Sequence, residues 1–377
     1  MSTTSMNTEQ STNLSKIIKT GPGENPMVSH YTELLHKVKE AGLLKKTPAF
    51  YVLRLLYITV LSLTTWAAAY YLSTLGSWWL LAAIPVMAFQ GILAAQYGFI
   101  AHEMAHRQVF NSNRLNDELG RILANGMAGL SYGFWMRKHN RHHARPNQIG
   151  YDPDIDIEVI SFTTESLEEK HGFEKKLSQN QGWLFPILLS MTGFHLLLDS
   201  MKSVFNKERP LPRRFYELSM MAVRQVVPIA ISVFLFGWLA GLGLWLVMML
   251  SFGVFMGGAF APNHKGMPLV PKDAKIDFFT RQVLTSRNIR SSWWTDNLMG
   301  GLNFQVEHHL FPTMPRPHLA EAHRIVIDYC NEKGVPFVET SLAESYKIII
   351  QYLNKVGLSN NTDPFVCPLV ATYRPRN

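Results

Sequence analysis

Between Arg54 and His102 the chain runs for 47 residues, Leu55 to Ala101, without one Asp, Glu, Lys, Arg or His. About 20 apolar residues cross a bilayer core once, and backbone inside that core must satisfy its own hydrogen bonds. A charge-free run of twice that length is therefore a helical hairpin that crosses twice. Its turn is expected at Ser73-Thr74-Leu75-Gly76-Ser77, with Trp78 and Trp79 at headgroup level. Gln225 to Asn263 repeats the pattern, with 39 residues lacking an ionisable side chain and a turn region marked by Gly237, Gly241 and Gly243. Trp183 to Leu198 is short for a span at 16 residues, contains Pro186, Gly193 and His195, and is assigned to the membrane surface.

Charged residues make up only 17% of the chain, against roughly 25% in soluble domains, while hydrophobic residues reach 47%. The net charge of +8 suits an anionic lipid surface or an acidic partner, and no nucleic-acid motif accompanies it. Two cysteines, Cys330 and Cys367, are too few for a disulfide framework or a thiolate metal site, so any metal is held by nitrogen or oxygen. The N-terminal MSTTSMNTEQSTNLSK lacks the apolar core of a secretory signal. Residues 1–28 read as a disordered tail, 29–48 as an amphipathic interfacial helix, and 49–377 as one membrane domain. Spans are predicted at about 52–73, 78–101, 220–238 and 243–263, with a cap built from 102–215 and 264–377. Neither outer turn carries Lys or Arg, so all 36 basic residues fall on one side, expected to be cytosolic together with both termini. The expected fold class is all-α integral membrane: four transmembrane helices in two hairpins under a helical cytosolic cap that carries a metal site. Asp152-Pro-Asp-Ile-Asp-Ile-Glu lacks the glycine and distal glutamate of a calcium loop and reads as a solvated acidic loop.

Seven of the 14 histidines form three tight groups: His102 with His106, His139 with His142 and His143, and His308 with His309. Spacings of i, i+3 and i+4 put imidazoles on one helix face, the geometry that aims several at one metal. His264 ends the fourth span, so both hairpins deliver histidine to the same membrane face. One tetrahedral zinc takes about four ligands, so seven or eight candidates imply two metals. Imidazole suits zinc, copper and iron, and open positions on a pair of irons suit oxygen chemistry. His102-Glu-Met-Ala-His106 also matches the HExxH of zinc proteases, with Glu103 as base and Asp199 as the one candidate for a further ligand. That reading leaves His139, His142, His143, His308 and His309 without a role. A histidine-rich metal sensor or carrier without redox chemistry is the non-enzymatic alternative. Glu103 and Glu307 are candidates for orienting neighbouring histidines, whereas His30, His36, His171, His195, His318 and His323 read as structural or exposed.

His102-x-x-x-His106, His139-x-x-His142-His143 and Gln305-x-x-His308-His309 resemble the three histidine boxes of membrane fatty-acid desaturases, over roughly residues 50 to 330. The third box, set in Gly300-Gly-Leu-Asn-Phe-Gln-Val-Glu-His-His-Leu-Phe-Pro-Thr-Met-Pro-Arg316, resembles that of front-end and related acyl desaturases, where Gln replaces the first His. Glu103 stands where many members have Asp. The resemblance implies a di-iron centre with His102, His106, His139, His142, His143, His264, His308 and His309 as its ligands. Gln305 and Asn263 are further ligands or support them from behind. It also implies that dioxygen and two electrons place a cis double bond in a long acyl chain, carried as acyl-CoA or acyl-lipid. Hydroxylation on the same scaffold is the nearest alternative, and an intramembrane zinc protease a distant one. Trp135, Trp293, Trp294 and Phe304 are candidate walls for the acyl chain. No His-Pro-Gly-Gly haem motif of a fused cytochrome b5 occurs, so the expected donor is a separate ferredoxin, flavodoxin or cytochrome b5 with its reductase. Lys138, Arg141 and Arg145 offer it a basic docking surface.

Overall fold

In a computed structural model, which describes residues 26–156, 160–208 and 213–358, four helices are long and apolar enough to cross a membrane. They are α2 (Pro48–Thr74), α3 (Leu80–Ala105), α10 (Arg214–Phe236) and α11 (Trp238–His264). The first hairpin turns through Gly76 (φ +95°) and a 3-10 turn at Ser77–Trp79, where the sequence places it. The second turns at Gly237 alone (φ +81°), so α11 starts five residues before the predicted 243. Gly241 does not break the helix; it lets α11 approach α10, since a Cβ there would lie 2.5 Å from the Ser232 carbonyl oxygen. The third span likewise begins at Arg214 rather than near 220. Glu217, buried, accepts from Ser131 and Arg121, and Arg224 donates to the Met127 carbonyl, so neither charge meets lipid.

Helices α3 and α11 run side by side at the centre, and α2 and α10 expose apolar side chains such as Leu53 and Phe234 to the surroundings. The central approach again depends on glycine: a Cβ at Gly91 would lie 2.3 Å from the Met248 carbonyl oxygen. On another side of α11, a Cβ at Gly253 would lie 2.1 Å from the Ser190 carbonyl oxygen. Both central helices end at the same level, where α3 brings His102 and α11 brings His264.

The cap covers that end. Helix α1 (Pro26–Glu40) buries Leu34 and Val38 in a core with Phe279, Phe311 and Val326, so its apolar stripe faces the cap. It begins three residues before the expected 29; residues 1–25 and 359–377, Cys367 among them, lie outside the described residues. After α3 come α4 (Asn113–Arg121), a π-helical turn (Ile122–Ala128) and α5 (Tyr132–Ala144). Then follow α6 (Thr164–Glu168), α7 (Gly172–Gln179), α8 (Gln181–Ser190) and α9 (Thr192–Phe205). The stretch assigned to the surface, Trp183 to Leu198, lies in α8 and α9, bent by 69° around Met191. The C-terminal half supplies α12 (Phe278–Thr285), α13 (Trp293–Leu298), α14 (Gln305–Leu310), α15 (Leu319–Lys333) and α16 (Leu342–Leu358). Strand β1 (Asn288–Ile289) pairs in parallel with β2 (Glu339–Thr340), Asn288 opposite Glu339.

Gly91→Val forces α3 off the backbone of α11 and is expected to cost about 1–3 kcal/mol or more of stability. Gly243→Ala, whose new methyl group meets nothing within 4 Å, is expected to leave stability unchanged. Thermal unfolding of the two purified variants, followed by size-exclusion elution, checks the difference.

Candidate metal centre

All eight histidines expected to bind metal converge, and they do so as two adjacent groups. His102, His106, His139, His143 and His308 form one; His142, His264 and His309 form the other, the potential ligand atoms in each lying within 4.8 Å of one another. Sequence spacing explains the split on α5, where His139 and His143 are four apart and share a face while His142 looks to the second group. His143 and His309 stack at 4.2 Å between ring centroids, one from each group.

The nitrogen contacts cannot all be hydrogen bonds. Nε2 of His139 lies 3.0 Å from that of His102, 2.8 Å from that of His106 and 2.9 Å from that of His143. A neutral ring nitrogen has one proton or one lone pair, enough for one partner. Nε2 of His264 is crowded in the same way, by His142 at 3.3 Å, His309 at 3.1 Å and the Gln305 amide at 2.9 Å. Burial, reinforced by neighbouring imidazoles, holds His139, His143, His308 and His309 well below the usual histidine range, and burial pushes His106 down to about 3. The rings are therefore neutral and keep their lone pairs. Lone pairs packed at this density fit shared cations, and the all-nitrogen donor set suits a transition metal such as iron or zinc.

In the smaller group, every ring has its outer nitrogen occupied. Nδ1 of His142 meets both Asp152 oxygens at 3.0 Å, Nδ1 of His264 donates to the Thr285 carbonyl at 3.0 Å, and Nδ1 of His309 donates to Gln282 Oε1 at 2.9 Å. These acceptors keep the proton on Nδ1 and turn Nε2 inward, the usual way of orienting a metal-binding imidazole. Burial opposes charge on His142, but the Asp152 and Asp154 carboxylates outweigh it and raise that ring above the usual range. In the larger group, Nδ1 of His102 and His143 and Nε2 of His308 are buried without a hydrogen-bond partner among the described residues.

The end of α11 is held with equal care. Pro262 has no N–H to give the Gly258 carbonyl, which instead accepts from Tyr346 Oη at 3.1 Å. The Pro262 carbonyl takes Arg287 Nε at 3.0 Å and Ser345 Oγ at 2.7 Å, and Arg287 N donates to the Asn263 carbonyl at 2.8 Å. Asn263 passes its amide to the Ala259 carbonyl and to Gln305 Oε1, so Asn263 stands behind Gln305, and Gln305 stands beside His264. At the other end, Ser131 caps α5 and the Glu217 carboxylate sits on its first turn.

Several expectations fail on geometry. Asp152 does not lie in a solvated loop: it is buried, bound to His142 and to the Asn147 amide. Glu103 neither orients a histidine nor is free to act as a protease base, because Arg316 and Tyr51 occupy it. Asp199 pairs with His195 one helical turn away, outside both groups. Glu307 orients Asn288 and His323, not the adjacent box histidines. Lys138 is tied to Asp154 at 3.0 Å, which leaves only Arg141 and Arg145 exposed from the basic trio. Sequence reasoning passed over Asp152, Gln282, Arg287 and Arg316. A carboxylate nine residues beyond His143 was a usable signal for the first; Gln282 and Arg287 come from segments without a motif, and Arg316 closes the third-box segment without any spacing that marks it out.

Beside the larger group lies a small apolar cavity lined by Gly98, His102, Ala124, Ala128, Trp135 and Met256, among others. Trp135 stacks on His139 at 4.2 Å. The remaining expected walls lie elsewhere. Phe304 is buried in the cap core against His323, while Trp293 and Trp294 are 67% and 66% exposed on α13.

A family model described as fatty acid desaturase matches residues 76–341. The chain is 30% identical over 328 residues to a Delta(6)-fatty-acid desaturase of Caenorhabditis elegans, covering 84% of this chain and 72% of that one. It is 28% identical to a Delta(5) fatty acid desaturase of the same organism, with 82% and 69% covered. It is also 28% identical to an acyl-lipid (9-3)-desaturase of Physcomitrium patens, with 80% and 57% covered.

Asp152→Asn removes the negative acceptor behind His142 and is expected to weaken metal binding about 10- to 100-fold. Asp199→Asn is expected to leave it unchanged. Chelator competition titrations on the two purified variants distinguish them.

Proposed function

The chain belongs to the fatty acid desaturase family and is a fatty-acyl desaturase; on that footing we propose a di-iron reaction that places a cis double bond in a long acyl chain. The observation that carries the reading is the convergence of eight imidazoles in two adjacent groups next to an apolar cavity. His102, His106, His139, His143 and His308 would hold one iron, and His142, His264 and His309 the other, with Gln305 at the edge of the smaller set. Asn263 acts through Gln305. Two irons, when bound, supply the reduction of dioxygen that yields an oxidant strong enough for an unactivated C–H bond, which no side chain provides. Per turnover, one CH2–CH2 unit, one dioxygen, two electrons and two protons become one CH=CH unit and two waters.

The protein's own part is positional. The cavity walls exclude water and offer only dispersion contacts to a methylene chain, and His102 and Trp135 border it on the side of the larger group. Gly98, Ala124 and Ala128 keep bulk out of its wall, so the bond chosen depends on how deep the chain slides. The relatives named for Delta(6) and Delta(5) desaturation support a site near the carboxyl end. The acyl group arrives on CoA or on a lipid; the acyl-lipid relative supports the second. The electrons come from a separate ferredoxin, flavodoxin or cytochrome b5 with its reductase, docking on the cap near Arg141 and Arg145. Two outer turns without Lys or Arg support a cytosolic cap.

Gas chromatography with mass spectrometry of fatty acids from a host expressing the chain is expected to show a product lighter by two hydrogens. A product heavier by one oxygen overturns desaturation in favour of hydroxylation. His142→Ala or His308→Ala is expected to abolish the product and reduce an iron content of about two per chain, whereas one stable zinc per chain would overturn the di-iron reading. Ala128→Phe is expected to fill part of the cavity and cut conversion of the longest chains at least 10-fold more than that of the shortest, measured from the same product profiles.

A further inference from the structure

Glu103 sits between His102 and His106 on the last turns of α3 but is turned to other partners. Arg316 grips it with two prongs, Nε to Oε1 at 2.7 Å and Nη2 to Oε2 at 2.5 Å, the side chains 9% and 3% exposed for Arg316 and Glu103. Tyr51 of α2 locks the pair: its Oη donates to Glu103 Oε1 at 3.3 Å and accepts from the Arg316 backbone N–H at 2.9 Å. The Arg316 stem lies on Gly301 (φ +80°), where a Cβ would come within 2.7 Å of Arg316 Cγ. A second tie runs in parallel, from Gln108 Nε2 to the Pro312 carbonyl at 2.8 Å. Both ties join the chain around the first histidine box to the chain leaving the third.

That junction is where the larger histidine group closes. Rings of His308 and His102 lie 4.7 Å apart, and those of His308 and His106 4.9 Å. Helix α14, which carries His308, has six residues and is far below the length at which a helix holds itself. Its place must be imposed from outside. On one side Glu307 is bound to Asn288 and His323, and His309 to Gln282. On the side of α3, the ties are those of Arg316 and Gln108.

We propose that Glu103 and Arg316 are positioning residues: their ion pair sets His308 against His102 and His106 and so assembles the five-histidine metal position while leaving the three-histidine position intact. The inference rests on the two-metal reading above. Selectivity follows from the anchors, since His142, His264 and His309 are oriented by Asp152, the Thr285 carbonyl and Gln282, none of which touches the pair. The two-pronged form matters because the planar guanidinium fixes direction as well as distance.

The test uses the full chain, purified in nanodiscs, loaded anaerobically with ferrous iron, and assayed for metal per chain alongside thermal unfolding. A double variant, Glu103→Gln with Arg316→Gln, leaves no unpaired buried charge and is the primary probe. It is expected to unfold as one cooperative species and to hold about one iron where the wild type holds about two. Adding His264→Ala to it is expected to remove the remaining iron. Arg316→Lys, which keeps the charge and loses a prong, is expected to fall between. A double variant that retains both irons, or loses both while folded, overturns the clamp and leaves the two-metal reading standing. Should that variant not fold, Arg316→Lys decides, and two full irons there overturn the clamp. A wild-type chain with fewer than two irons overturns the two-metal reading and the clamp with it.

Discussion

Imidazole lone pairs forced to within about 3 Å of one another in a buried site repel, and the rest of the molecule is arranged to hold them there. No single helix can do it, because one helical face presents at most two or three histidines to one point. The chain recruits five segments instead: the ends of α3 and α11, all of α5, the short α14, and the loop and helix residues that accept the outer ring protons. Asp152, Gln282 and the Thr285 carbonyl each take one such proton and thereby decide which nitrogen faces inward.

The membrane hairpins are the rigid part of this arrangement. Gly91 lets the backbones of α3 and α11 touch, so the two helices arrive in a fixed register and deliver His102, His106 and His264 to one level, while Gly241 and Gly253 seat α11 against α10 and α8. What the bilayer cannot supply at that level, the cap does. Arg287 satisfies the carbonyls at the end of α11, and Glu217 neutralises the start of α5 from within a span. Glu217 is tolerated within a span because Arg121 and Ser131 pair with it inside protein.

Much of this was legible in the residues. Two charge-free runs specify two hairpins whatever lies between them, since only helices satisfy their backbone in lipid. Histidines at helical spacing, each set close to the end of a span or on a short amphipathic segment, already named the metal-binding candidates, including His264. Gly237 as the whole of the second turn was not legible, because three glycines within seven residues offer three equal breaks. Glu103 read as a general base or an orienting carboxylate until its partner, over 200 residues away, was in view. Trp293, Trp294 and Phe304 read as cavity walls from nearness in sequence, and the folded chain places them outside the cavity.

The division follows from the range of the forces. Hydropathy and helical periodicity act over a few turns, so the number of spans, their pairing into hairpins and the set of eight histidines were determined by the sequence alone. The grouping of those histidines into five and three, the acceptors behind His142, His264 and His309, the salt bridge between Glu103 and Arg316, and the small residues that shape the cavity depend on contacts between segments distant in the chain. Such contacts leave no local period or composition to read, because any of several carboxylates or guanidiniums satisfies the local rules equally well. Only the packing of α3, α5, α11 and α14 around one point selects among them.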